Sequence, residues 1–169
     1  MENFTDELKL ICKESTAFIG IGNTDRSDDG AGIVLARFLQ DAGFKNVFIG
    51  GITPEKVLPQ IRDGKFANVV FLDAVESGSI PGSVVILDAQ EIAVRFPQVS
   101  THKLSVSMLA KIVSEHNDSR VWLLGIQPAK IDMSENGLSA QVDESVQAVA
   151  QQIVVSIMKS NKLQEKLCS

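Results

Sequence analysis

Asp29, Asp73 and His102 are the residues of this chain whose types could do chemistry together. Two carboxylates and an imidazole form a mixed oxygen and nitrogen set suited to a divalent transition metal such as nickel, zinc or manganese. Three protein ligands leave coordination positions open for water or substrate, as a catalytic or metal-sensing site requires. Each residue also has a plainer reading. Asp28 or Asp29 could cap the helix that begins near Gly30. Asp73 could be a loop acid held by backbone donors. His102 could be a surface histidine ahead of a helix, with Thr101 as that helix's N-cap. The other histidine, His116, sits in Glu115-His116-Asn117-Asp118 at a polar helix end, where the helix dipole favours it.

Other chemistries fit less well. Gly20-x-Gly22 follows a strand and precedes a helix, but a dinucleotide fingerprint requires glycine or alanine at position 25, which is Asp25. The second strand ends in Gly50-Gly51, with no acid to hold a ribose, and no lysine stands where a P-loop needs one. Asp25, Asp28 and Asp29 against Arg26 alone would repel a pyrophosphate. Ser77, Ser100 and Ser105 have no histidine-and-acid arrangement of a serine hydrolase. Cys12 and Cys168 lie at opposite ends of the chain and form no motif.

The elements that must position the three residues follow from hydrophobic pattern. Apolar strands are expected at 16–21, 46–49, 68–73, 83–87 and 120–126. The continuous run at 69–72 marks a central strand buried on both faces. The link from the third strand to the fourth, through Ser79-Ile80-Pro81-Gly82, is too short for a helical crossover, so the fourth strand should run antiparallel to the third. Helices are expected over the first dozen residues (Phe4, Leu8, Leu10, Ile11) and from Gly30 to Ala42 (Ile33, Val34, Phe38, Leu39), the latter stopped by Gly43. Another opens at Thr53-Pro54-Glu55, with Thr53 as N-cap and proline at its first position. A fourth spans 103–116 (Leu104, Met108, Leu109, Ile112, Val113). A last, long helix runs from Ala140, with Val142, Val146, Val149, Ile153, Val154 and Ile157 as its buried stripe. This alternation predicts a three-layer α/β fold with a mixed, mostly parallel sheet, as one domain over residues 1–169. In such sheets ligands bind at the carboxyl ends of the strands, and Asp29, Asp73 and the loop holding His102 all follow there.

Composition bounds the partners. A net charge of −5 with no basic block argues against nucleic acid and anionic membranes. No apolar run approaches the roughly 20 residues of a membrane helix. The acidic start Met1-Glu2-Asn3-Phe4-Thr5-Asp6-Glu7 lacks the features of a signal peptide. With two scattered cysteines, the simplest expectation is a reduced, cytoplasmic protein.

Taken in order, Gly22-Asn23-x-x-x-x-Asp28-Asp29-Gly30-x-Gly32, Gly50-Gly51-x-x-Pro54-Glu55, Asp73-Ala74, Pro81-Gly82, Thr101-His102-x-x-x-Ser105 and Leu124-Gly125-Ile126-Gln127-Pro128 resemble the hydrogenase maturation protease family. The likeness runs from about residue 16 to 150, and Gly137-Leu138-Ser139 before the last helix fits it too. It implies an αβα sandwich around a twisted five-stranded sheet. It implies an endopeptidase that removes a C-terminal extension from the large-subunit precursor of a nickel-iron hydrogenase after nickel insertion. The family's metal-contacting acid, aspartate and histidine fall on Asp29, Asp73 and His102, which would then serve both nickel recognition and catalysis. Nickel would arrive with the substrate, and another divalent metal could replace it in vitro. Two departures stand out. Ile49 occupies a position where many members have aspartate, so no role of that acid applies here. The first loop, Thr24-Asp25-Arg26-Ser27, is also more polar than usual. Both departures point to a subgroup with its own hydrogenase partner. A maturation chaperone that senses the metal-loaded precursor without cutting it, and a small-molecule enzyme on a related scaffold, are the rival readings.

Overall fold

A computed structural model describes residues 2–95, 105–116, 118–133 and 137–167. Five strands form one sheet: β1 (Thr16–Ile21), β2 (Val47–Gly51), β3 (Asn68–Ala74), β4 (Val84–Asp88) and β5 (Arg120–Ile126). Their spatial order is β2-β1-β3-β5-β4. The first four are parallel neighbours and β4 pairs antiparallel to β5 on the edge. The continuous apolar strands take the centre, with all six residues of β1 buried and Phe71 of β3 between Ile19 and Leu123. The fourth strand runs in the expected direction, but its partner is β5, which lies between it and β3. The return through α4 (Ala89–Arg95) and α5 (Val106–His116) is long enough to bring β5 back parallel beside β3.

Period-two alternation sends successive side chains to opposite faces. Phe18, Val70, Leu72, Leu124 and Ile126 pack against α1 (Glu2–Ile11), α2 (Ala31–Asp41) and α6 (Ala140–Leu167). Ala17, Ile19, Val69, Phe71 and Leu123 pack beneath α3 (Leu58–Gly64), α4 and α5. These are the three layers expected from sequence. Along α6, Val142, Val146, Val149 and Ile153 are buried, and Val154 and Ile157 are partly so. The other helices bury faces that differ in part from those the apolar pattern predicts. Phe38, Leu10 and Met108 are exposed, while Leu35, Ala36 and Ala110 supply the contacts. Val34 and Ile112 are only partly buried.

Local rules account for the element ends. Gly43 follows α2 with φ +91°, which glycine adopts at little cost. Thr53 makes no side-chain cap, and the segment behind it starts as a 3-10 turn, Pro54–Val57, before α3. The second strand extends to include Gly50 and Gly51. Helix α4 was not expected from the hydrophobic pattern, yet it has a reciprocal cap. Asp88 Oδ1 accepts the N–H groups of Gln90 and Glu91, and Glu91 Oε2 accepts that of Asp88.

Candidate active site

The carboxyl edge of the sheet is built first by the loop after β1. At Gly22 the φ is +128° and an added Cβ would lie 1.8 Å from the Asp29 carbonyl oxygen. Only glycine allows the chain to fold back on itself so closely. The Asn23 N–H donates to both the Asp29 carbonyl (3.2 Å) and Asp29 Oδ2 (3.0 Å), and the Asp29 N–H donates to Arg26 O (3.1 Å). Asp29 is thereby held in a 3-10 turn, Ser27–Gly30, with 3% of its surface exposed. It is not a helix cap, because Gly30 precedes α2 without any side-chain capping bond.

Asp28 is 0% exposed and points elsewhere. Its carboxylate accepts the N–H groups of Ala129 (2.9 Å), Lys130 (3.1 Å) and Ser139 (2.6 Å), and the Ser139 hydroxyl (2.9 Å). Burial alone pushes its pKa up, but these hydrogen bonds outweigh burial and hold it below the ordinary carboxylate value. Ser27, with φ +48°, donates its hydroxyl to Asp132.

Asp73 stands near the end of β3, opposite Gly125 of β5, and is 7% exposed. Alternation puts its side chain on the face of Phe71 and Val75, toward the layer of α3, α4 and α5. The 3-10 turn of Asp29 packs against β3. At Gly32, on the first turn of α2, an added Cβ would lie 2.0 Å from the Leu72 carbonyl and 2.6 Å from that of Ile21. This close approach seats the first loop over the ends of β1 and β3, so Asp29 and Asp73 share one edge on neighbouring segments.

His102, with Ser100 and Thr101, lies outside the described residues. Helix α5 leads down to Arg120, which pairs with Asn68 at the far edge of the sheet, so Val106 at the start of α5 faces the edge of the two acids. The second histidine, His116, is the last residue of α5 and belongs to the opposite edge.

Sequence reasoning gave Gln127 no role beyond its place in a motif. It is buried, and its Oε1 accepts the N–H of Ser77 (2.8 Å), the Ser77 hydroxyl (3.0 Å) and the N–H of Ser79 (3.3 Å). Its Nε2 donates to Glu76 Oε1 (2.9 Å) and Pro128 O (3.1 Å). The available signal was a polar residue directly after an apolar strand, which a buried position obliges to find partners. Ser77 is thus engaged with Gln127 and Ser79, and Ser105 with Ser107. Cys12 is buried beside α1, and burial pushes its thiol up to about 12. A thiol of that acidity makes no nucleophile at neutral pH.

A fold of this topology with acids at its carboxyl edge invites comparison with known proteins. Residues 34–156 match the family model HycI, hydrogenase maturation protease. The chain belongs to the hydrogenase maturation protease family. The matched span contains Asp73 and His102 and begins just after the loop of Asp29. The protease is 34% identical over 110 residues to the hydrogenase 3 maturation protease of Escherichia coli strain K12, covering 64% of this chain and 69% of that one. It superimposes on the crystal structure of the NiFe hydrogenase maturation protease HycI from Thermococcus kodakarensis KOD1 with a TM-score of 0.80. Identity there is 26%, over 90% of this chain and 99% of the other. The solution structure of an endopeptidase HycI from Escherichia coli gives a TM-score of 0.70 at 27% identity, over 83% and 89% of the two chains. The protein is therefore a peptidase, which sets aside the non-cutting chaperone and the small-molecule enzyme.

Proposed function

We propose that this peptidase removes the C-terminal extension of a nickel-iron hydrogenase large-subunit precursor after nickel insertion, and that Asp29, Asp73 and His102 dock the substrate's nickel. The observation that carries this reading is the pair of nearly buried carboxylates on neighbouring segments of one edge. Like charges withdrawn from water favour a cation among them. An imidazole added to two carboxylates suits a first-row transition metal. Docking through metal already held by the substrate makes cleavage conditional on its insertion.

The edge also fits a protein substrate. Ile52, Ile80 and Met133 are exposed and lie beyond the carboxyl ends of β2, β3 and β5, and the exposed Ile49 sits within β2, two residues before its end. The other large exposed apolar residues lie on helices. Apolar side chains gathered around one functional edge mark a binding surface. Ile49, where the family frequently has aspartate, contributes to this apolar rim instead of adding a third acid.

Hydrolysis requires that water attack the scissile carbonyl carbon, that the C–N bond break, and that the leaving amine receive a proton. Two routes meet these needs. In one the substrate's nickel would polarise the carbonyl or the water, and in the other nickel serves for recognition only; in both an aspartate takes the proton from the attacking water and passes it to the amine nitrogen as the C–N bond breaks. We place the reaction in the cytoplasm. No helix among the described residues is long and apolar enough to cross a membrane, and the buried Cys12 is a free thiol.

The test is incubation of the purified protein with nickel-loaded and nickel-free precursors, followed by mass spectrometry. Loss of the extension from the nickel-loaded precursor alone is expected. Equal cleavage of both overturns nickel recognition, and cleavage of neither by folded protein overturns the substrate assignment.

A further inference from the structure

The loop that carries Asp29 and the loop that follows Asp73 at the end of β3 are fastened to the same short stretch of chain. Asp28, the covalent neighbour of Asp29, accepts hydrogen bonds from the Ala129 and Lys130 backbone and returns one from its own N–H to Lys130 O at 3.3 Å. Gln127 binds the backbone of Ser77 and Ser79 and the side chain of Glu76, in the loop that follows Asp73. Four consecutive residues, 127–130, thus hold both loops. That stretch is itself anchored in the sheet. The Gln127 N–H donates to Ser83 O (2.8 Å), Gln127 O accepts the Gly82 N–H (2.9 Å), and the Ile126 carbonyl accepts the Val75 N–H (2.9 Å).

We propose that residues 127–130 are a brace that sets the spacing between Asp29 and Asp73, with Asp28 and Gln127 as its two positioning residues. The inference rests on the reading of Asp29 and Asp73 as the working acids. Both positioning residues are buried polar groups, and each has partners for its acceptor oxygens inside the protein. A buried, satisfied polar network holds one geometry more rigidly than apolar packing does. The site needs that rigidity, because Asp29 comes from the loop after β1 whereas Asp73 is fixed near the end of β3, and a displacement of about 1 Å between them can cost a catalytic site roughly a hundredfold in rate. The motif Leu124-Gly125-Ile126-Gln127-Pro128 gains a role on this account. Its strand half builds the sheet and its Gln-Pro end carries the brace.

Two independent clamps, each serving its own loop, are the competing account, and the two accounts differ in what crosses between the loops. Hydrogen exchange by mass spectrometry on the full chain reads this without any precursor. Gln127→Leu should speed exchange in residues 75–79 on either account, but a brace also speeds it in residues 23–30. Asp28→Asn should act in the reverse direction. If Asp28→Asn does not fold, Ser139→Ala, which removes one of the four bonds to Asp28, takes its place. Precursor cleavage supplies the second reading. Each single substitution should lower kcat/KM about tenfold, and the double variant should be no worse than about threefold below the slower single, since spacing once lost is not lost again. Independent clamps would multiply to about a hundredfold. Exchange confined to each variant's own loop, or multiplicative rate losses, overturns the brace. Asp29→Ala and Asp73→Ala separate this failure from that of the underlying reading. Full cleavage by these two folded variants overturns the assignment of the acids and the positioning role with it. If they are inactive and no cross-loop exchange is seen, the brace alone falls.

Discussion

Asp28 and Asp29 are chain neighbours with opposite surroundings, and that contrast separates a structural acid from the one proposed to take part in the chemistry. The hydrogen bonds to the Asp28 carboxylate all come from the segment after β5, whereas Asp29 is engaged within its own loop and lies at the edge. The Asp28 pKa is lower in the folded protein than its ordinary value of 3.8. Such a group binds fewer protons folded than unfolded across that window, so its stabilisation is present above the ordinary value. It is lost as pH falls through that value and then through the folded one. Melting followed by circular dichroism from neutral to strongly acid pH should therefore show a steeper loss of Tm for the wild type than for Asp28→Asn. At pH 7 the same substitution should cost about 2–3 kcal/mol, because an amide leaves buried N–H donors facing its own. At the other acid, Asp73→Asn replaces a charged ligand by a neutral one and should lower precursor cleavage by at least about a hundredfold with an unchanged circular dichroism spectrum. His102→Ala should behave alike, and since the sequence places it in a loop, its effect on stability should be about half a kcal/mol or less. Full activity in a folded His102→Ala protein would remove nickel docking and leave a hydrolytic site made of aspartates.

The elements bring Asp29 and Asp73 to one edge through close backbone approach more than through side-chain contact. Helix α2 can sit over the ends of β1 and β3 only because Gly32 has no side chain. The nearest obstacle to a Cβ there is a rigid strand carbonyl, 2.0 Å away. Gly32→Ala should therefore destabilise the protein by about 3 kcal/mol or leave no folded product. Gly43→Ala meets no atom within 4 Å and should cost only about 1 kcal/mol, for its left-handed backbone. Urea denaturation of the two variants checks the order, and a smaller loss at Gly32 than at Gly43 would contradict the packing described. Helix α4 shows how far local signals reach. Its cap, Asp88-x-x-Glu91, was present in the sequence as a helix-start pattern. The helix is short and buries only Ile92 fully, too little apolar periodicity to notice beside the longer helices.

For the molecule as a whole, the sheet has one chemically loaded edge. Acids, brace and apolar rim all lie at the carboxyl ends of the parallel strands, where loops from separate βα units converge. Ile80 and Met133 are 78% and 77% exposed and lie outside the buried core. If the precursor docks on this edge, Ile80→Asp and Met133→Asp should each raise KM about tenfold with kcat and Tm unchanged, the loss of one buried apolar contact. Met158→Asp, on the exposed side of α6, serves as the control and should leave KM unaltered. Steady-state cleavage kinetics decide the matter, and an unchanged KM in both edge variants would remove the apolar rim from substrate binding.

The sequence by itself determined the strands, the direction of β4, the three layers and the likeness to a family of proteases. Each of these rests on patterns that repeat within a few residues or on motifs in fixed order. Thr16–Ile21 and Arg120–Ile126 were legible to the residue because a buried strand must be apolar along its length. Tertiary structure alone decided that β5 enters between β3 and β4, that Phe38 and Met108 face outward, and that Asp28 is a tie and not a helix cap. Helical periodicity marks an apolar stripe but not how wide a stripe the neighbouring layer covers. Asp28 finds its partners 101 to 111 residues away. No local pattern encodes such a distance, because three of the four donors are backbone N–H groups that every residue but proline carries, and only the folded chain selects which of them meet the carboxylate.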